Sequence, residues 1–122
     1  MNATKTATAA SGHKTCGAQM IAVKDALEIL QGKWKLPIIL SVSFGTRRFR
    51  EIAREIPGIT DKMLSKELRE LEMNLLVKRS VFDTFPPTVE YEITEHGKSL
   101  QPVIMELGKW GQLHRKKILS KR

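Results

Sequence analysis

The stretch RRFREIAREIPGITDKMLSKELRELEMNLLVKRSVFDTFPPTVEYEI, residues 47–93, decides the fold. Phe49, Ile52, Ala53 and Ile56 fall at i, i+3, i+4 and i+7, and Leu64, Leu68, Leu71 and Leu75 at i, i+4, i+7 and i+11. Each segment therefore carries one apolar stripe of helical period. Pro57-Gly58 separates the two stripes. Thr60 stands where an N-cap belongs, and Asp61 suits the positive end of the helix dipole. The second helix then runs to Met73 or Asn74, with Asp61, Lys62, Ser65, Lys66, Arg69 and Glu70 on its outer face. After it, the run from Leu76 to Phe82 and the alternation Thr88 to Ile93 flank a turn at Asp83 to Pro87, the pattern of a hairpin with one buried face. A helix-turn-helix followed by a hairpin, in a basic chain, places the outer face of its second helix in the DNA major groove and the hairpin against the flanking backbone.

Working outward, two helices are expected before this unit. One spans about Ile21 to Gln31, with Gly32 as its C-terminal cap. The other runs from Lys35 to about Phe44, with Pro37 tolerated in its first turn and Gly45 closing it. Arg47-Arg48-Phe49-Arg50 is expected to open the third helix, which Pro57 ends. Beyond the hairpin, Thr94 caps a last helix holding Leu100, Val103, Ile104, Leu107, Trp110 and Ile118, and Pro102 either kinks it or marks where its main body starts. Residues 1–15, rich in Ala, Thr and Ser, read as a flexible tail, and residues 16–122 as one winged-helix domain with further helices at both ends.

Size and composition bound the function. A chain of 122 residues has room for one core. Its 21 Lys and Arg against 13 Asp and Glu give a net charge of +8, which draws it to polyanions without saying which. Low aromatic content argues against a single-strand binder with stacking platforms. The single cysteine, Cys16, excludes an internal disulfide framework and a Cys-rich zinc site. His13, His96 and His114 lack metal-ligand spacing. No nucleophile elbow, phosphate-binding glycine loop or metal-hydrolase helix motif appears, so neither an enzyme nor a cofactor is expected. No run approaches a membrane span, no secretory signal is evident, and a cytoplasmic protein is expected.

Thr60, Lys62, Ser65, Lys66 and Arg69 are the candidates for contact with base edges and phosphates. Arg47, Arg48 and Arg50 at the start of the third helix, and Arg79 near the hairpin, are candidates for the DNA backbone. For Arg48 a structural ion pair is an equal rival. The hairpin tip, Asp83 to Pro87, carries no cation and is expected to contribute less than the helix. Trp34, Trp110 and the stripe Leu100, Val103, Ile104 and Leu107 read as core and dimer contact, with an effector pocket at the seam left open. Cys16 is either an ordinary small side chain or a redox switch whose thiolate Lys14 and the first helix would stabilise.

At these residues the chain resembles the HxlR-type family of bacterial winged-helix transcriptional regulators. The resemblance rests on Gly32-Lys33-Trp34, Arg48-Phe49 with Ile52, Pro57-Gly58-Ile59-Thr60, Lys62-Met63-Leu64, Leu68-Arg69-Glu70-Leu71-Glu72, Pro86-Pro87, Val89-Glu90-Tyr91, Thr94, Gly97 and Trp110-Gly111, in that order. Together they span roughly Cys16 to His114. The resemblance implies an α+β winged helix with extra N- and C-terminal helices forming a dimer interface. It also implies a homodimer on a pseudo-palindromic double-stranded operator, often responsive to an electrophile, an oxidant or another small effector. Two departures stand out. The family has Gly where this chain has Leu75, which leaves Asn74 to take the left-handed capping conformation. The family cysteine is typically followed by Pro, here by Gly17. The rival classes are a winged-helix interaction module for an acidic protein or RNA, and a thiol stress protein in which Cys16 does the chemistry.

Overall fold

Leu64, Leu68 and Leu71 are fully buried, at 0–1% exposure, and the rest of the molecule from Gly32 onward is arranged around them. The computed structural model describes residues 8–121, with side chains from Cys16 on. The chain divides into two units, one holding helix α1 and the other running from Gly32.

Helix α1 spans Thr8–Ile29. It begins well before the expected start at Ile21 and takes in residues 8–15, assigned above to the tail; residues 1–7 lie outside the described part. Ala at 9, 10, 18, 22 and 26 favours the helical backbone over this length. Met20, Val23 and Leu27 are exposed on it.

The second unit contains α2 (Lys35–Ser43), β1 (Arg47–Arg48), α3 (Phe49–Glu55), α4 (Asp61–Met73), β2 (Val77–Phe82), β3 (Thr88–Ile93), α5 (Glu95–Lys98) and α6 (Gln101–Ser120). The three strands form one antiparallel sheet in the order β1-β3-β2. Arg47 and Arg48 thus belong to a strand, paired with Tyr91 and Glu90, and not to the opening of α3 as expected. The α3 helix starts only at Phe49 because the Glu51 carboxylate accepts the Arg48 backbone N–H at 2.7 Å, an N-terminal capping contact with Arg48 extended.

The core joins Ile38, Ile39 and Val42 of α2, Ile52 of α3 and the α4 leucines to Val77 and Tyr91 of the sheet and to Leu76 just before it. Burying each large apolar side chain contributes roughly 1.5–3 kcal/mol over leaving it in water. Gly58, at φ +87°, makes the turn between α3 and α4 that a side chain would strain.

Two capping motifs fix the ends of α4. Thr60 is the N-cap, its hydroxyl oxygen accepting the Met63 N–H at 3.1 Å. At the other end Leu75 N–H donates to Glu72 O at 3.0 Å and Leu76 N–H to Leu71 O at 2.9 Å, the bond pattern of a Schellman cap. The left-handed residue there is Leu75 itself, at φ 63°, and Asn74 stays at φ −91°. The expectation for Asn74 is corrected: the left-handed position is C′, one residue beyond the cap, and Asn74 as the cap residue donates its side-chain amide to Glu70 O at 3.0 Å instead.

Thr94 then locks α5 under this corner. Its hydroxyl donates to Leu75 O at 2.6 Å and accepts the Gly97 N–H at 2.9 Å. A Cβ on Gly97 would sit 2.3 Å from Leu76 O, so only glycine lets α5 approach this closely. Pro102 lies in the first turn of α6, whose body therefore starts there without a kink. Among the described residues, no helix is long and apolar enough to cross a membrane.

Candidate nucleic-acid interface

The leucines that anchor α4 dictate what its other side offers. With Leu64, Leu68 and Leu71 turned inward, Lys62, Ser65, Lys66 and Arg69 are turned outward and exposed, as is the cap residue Thr60. One helix face therefore carries three cations and two hydroxyls in reach of a ligand. That combination suits a groove wall of phosphates and base edges, since Arg and Lys pair with phosphate or guanine while hydroxyls donate to either.

Three of the expected residues converge. Ser65 and Arg69 from α4 meet Arg79 from β2 around a hollow of about 340 Å³ completed by Phe49, Glu72 and Tyr91. Two guanidiniums beside one hydroxyl make a fitting seat for a backbone phosphate where α4 gives way to the hairpin.

A second concavity, about 980 Å³, lies between the start of α3 and the hairpin. Arg47, Arg48, Arg50 and Arg54 line one wall and Thr84 to Glu90 the other. The four arginines are not equivalent. Arg47 is tied down: its Nε donates to Glu55 Oε2 at 3.2 Å, while the other Glu55 oxygen accepts the Ser41 hydroxyl at 2.5 Å. Arg50 pairs with Asp61 at the first turn of α4 and lies over the Phe49 ring, 5.3 Å from its centroid. Arg48 is exposed and makes no ion pair among the described residues, so its rival structural reading is not realised. Arg54 was missed in the sequence reading. Its position on the outer side of α3, opposite Ile52, was the available signal.

The hairpin tip carries no cation, as the sequence indicated. Phe85 projects from it completely exposed, next to the cis Phe85-Pro86 bond.

The largest addition to the sequence reading lies beneath the interface. Glu70, placed above on the outer face of α4, is half-buried, and Glu67 is buried. Lys35, at the start of α2 and only 3% exposed, donates to Glu67 at 2.5 Å and to Glu70 at 2.6 Å. Burial works against the Lys35 ammonium, but the two carboxylates outweigh it and raise its pKa above the usual 10.5. The Lys35 hydrogen bond, aided by Lys66 and opposed by partial desolvation, holds Glu70 below the ordinary carboxylate value of 4.5. Lys66 reaches the same two acids, at 3.4 Å from Glu70 and 4.0 Å from Glu67. The signal was present in the sequence: Glu67 sits three residues from Leu64, on the inner stripe, where an unpaired charge could not stay.

Cys16 lies in α1, exposed and free. On α6, Trp110 stacks on His114 with ring centroids 4.9 Å apart. None of the residues of α6 is buried, and Val103, Leu107, Trp110 and Leu113 are all more than half exposed.

This architecture has close counterparts. A family model described as HxlR-like helix-turn-helix matches residues 29–118. The HTH-type transcriptional regulator YtcD of Bacillus subtilis (strain 168) is 43% identical over 94 residues, covering 77% of this chain and 75% of its own length. Among solved structures, the redox regulator HypR in its reduced form is similar at a TM-score of 0.76 and 38% identity, over 81% of this chain and 98% of that one. The reduced transcriptional regulator YodB from B. subtilis is similar at a TM-score of 0.65 and 40% identity, over 71% and 85%. By its helix order, its three-stranded sheet and these matches, the chain belongs to the HxlR-like helix-turn-helix family of winged-helix, DNA-binding transcription regulators.

Proposed function

We propose that the protein acts as a homodimer that sets α4 of each copy into successive major grooves of a two-fold symmetric operator. The observation that carries this reading is the division of α4 into a fully buried leucine side and an exposed side bearing Lys62, Ser65, Lys66 and Arg69. Arg69, flanked by Ser65 and Arg79, reads a base edge or holds the phosphate beside it. Arg48, Arg54 and Lys62 supply backbone contacts, and Arg50 keeps α3 and the start of α4 in register through Asp61. The exposed apolar side chains of α6 and of α1 are the material for the dimer seam, which in a cytoplasmic regulator has no membrane to cover it.

Two symmetric α4 helices sit about one DNA turn, ~34 Å, apart in such a dimer. If roughly 6–10 phosphates are neutralised, affinity falls by about three to five decades between roughly 50 and 200 mM salt. A gel-shift series with a palindromic duplex, a scrambled duplex and a single strand tests the reading. Lys66→Ala and Arg69→Ala should lose binding to the palindrome selectively. Equal, weak binding to every polyanion favours the interaction module instead.

The likeness to the redox regulator HypR joins with the exposed thiol of Cys16 to favour a response to oxidants. Oxidation by diamide removes two electrons and two protons from two thiols and joins Cys16 to Cys16 of the partner subunit, with diamide reduced to the hydrazine. Cys16→Ser should bind operator as before and ignore diamide; an unchanged response excludes the thiol.

A further inference from the structure

Lys35 and Lys66 share two carboxylates across the thickness of α4. Side-chain exposure rises through the four groups, from 4% for Lys35 and 11% for Glu67 to 37% for Glu70 and 66% for Lys66. Glu70 bridges the ends, one oxygen facing Lys35 at 2.6 Å and the other facing Lys66 at 3.4 Å. The free protein thus holds two cations and two anions in one cluster that runs from the core to the exposed side of α4.

We propose that Lys35 is a positioning residue for DNA recognition: by satisfying Glu67 and Glu70 from inside, it leaves Lys66 free to pass from Glu70 to a DNA phosphate. The inference rests on the reading of α4 as the recognition helix. Its physical basis is charge balance at short range. Remove Lys35, and two carboxylates face one outer ammonium, which they retain against the phosphate. They also place negative charge within a Debye length, about 8–10 Å, of the DNA backbone. With Lys35 in place the acids are compensated before DNA arrives, and Lys66 exchanges one anionic partner for another. Lys35 touches no DNA itself.

The proposal gives opposite signs for two substitutions, read by fluorescence anisotropy with a labelled duplex selected by the wild-type protein. Lys35→Met should weaken binding by about tenfold and lower the slope of log affinity against log salt by about one, the loss expected from removing Lys66 itself. Lys35→Met with Lys66→Ala should lower the slope no further. Glu70→Gln should tighten binding by up to about fivefold, the range of an exposed ion pair, because Lys66 loses the nearer of its two carboxylate partners. In the double variant Lys35→Met, Glu70→Gln the slope should return in part, since only Glu67 then faces Lys66. Thermal melts establish that each variant is folded. Should Lys35→Met not fold, the sign of the Glu70→Gln effect decides alone. Weakened or unchanged binding in Glu70→Gln overturns the proposal, as does a folded Lys35→Met with wild-type slope. Arg69→Ala serves as reference. If it loses selective binding while these variants do nothing, only the role of Lys35 falls; if Arg69→Ala also binds normally, the recognition reading falls with it.

Discussion

Helices α4 and α6 are both amphipathic, yet they use their apolar sides in opposite ways. In α4 every stripe leucine from Leu64 to Leu71 is buried at 0–1% exposure, and the outer face is polar. In α6, Val103, Leu107, Trp110 and Leu113 keep 51–65% of their surface in contact with solvent. The apolar stripe of α4 is matched by α2, α3 and the sheet, so its other side stays free for the proposed contact with DNA. Among the described residues from Gly32 onward nothing covers these four side chains of α6, and a second copy of the chain is the covering that the proposed dimer supplies. Helical periodicity alone does not distinguish a stripe that packs inward from one that waits for a partner.

The contrast is sharpest in stability. Leu68→Ala should cost about 2–5 kcal/mol, a loss seen in denaturant melts at every protein concentration, since it opens a cavity inside one protomer. Trp110→Ala should behave differently. It removes a large exposed aromatic that the proposed seam would bury, so sedimentation should show dissociation rising on the order of thirtyfold, as for an interface hot spot. Protomer melting at low concentration should move by less than about 0.5 kcal/mol. A concentration-independent loss of several kcal/mol at Trp110 would erase the distinction between the two helices.

A smaller effect probes the corner that ends α4. Leu75 is 69% exposed and left-handed, so its side chain contributes strain without core packing. Leu75→Gly should raise stability by about 1 kcal/mol, the larger relief of left-handed strain being partly offset by greater freedom of the unfolded chain. A loss on the same melt would show that the leucine side chain matters more than its backbone.

The acid and alkaline limits test the ion cluster under α4. Glu70 has a depressed pKa when folded, so its contribution is fully present above 4.5 and is lost as pH falls through the lowered value. Lys35 has a raised pKa, so its contribution is full below 10.5 and is lost as pH rises through the higher folded value. Stability from this cluster should therefore be flat between these limits. Glu70→Gln should remove part of the acid-side decline, as followed by circular dichroism against pH, and an unaltered acid limb would contradict the assignment.

Much of the recognition unit was legible because its local signals agree. Thr60 caps, Pro57-Gly58 turns, the leucine stripe of α4 holds from Leu64 to Leu71 though not at Leu75, and Thr88 to Ile93 is the strand β3, with only Tyr91 of its expected inner face buried. For the start of α3 and for Glu70 a neighbour distant in sequence decided the outcome, while the other two misses are local. Arg47 and Arg48 have an arginine-rich start that suits a helix, but pairing with Tyr91 and Glu90 makes them a strand. Asn74 is the residue type that tolerates the left-handed region, yet the geometry of the cap assigns that place to Leu75. Glu70 looks like a solvated charge until Lys35, 35 residues away, reaches it from α2. Helix α1 extends through Ala-rich sequence that lacks an apolar stripe, so periodicity had nothing to detect there.

The most direct test of the central claim is selection from a random duplex library with the wild-type protein and with Arg69→Ala. The wild type should enrich a two-fold symmetric site with half-sites about one helical turn apart, and Arg69→Ala should relax the preference at one position in each half and weaken binding by about 1–3 kcal/mol. Failure of the wild type to enrich any duplex sequence, or an Arg69→Ala profile identical to the wild type, would contradict the account.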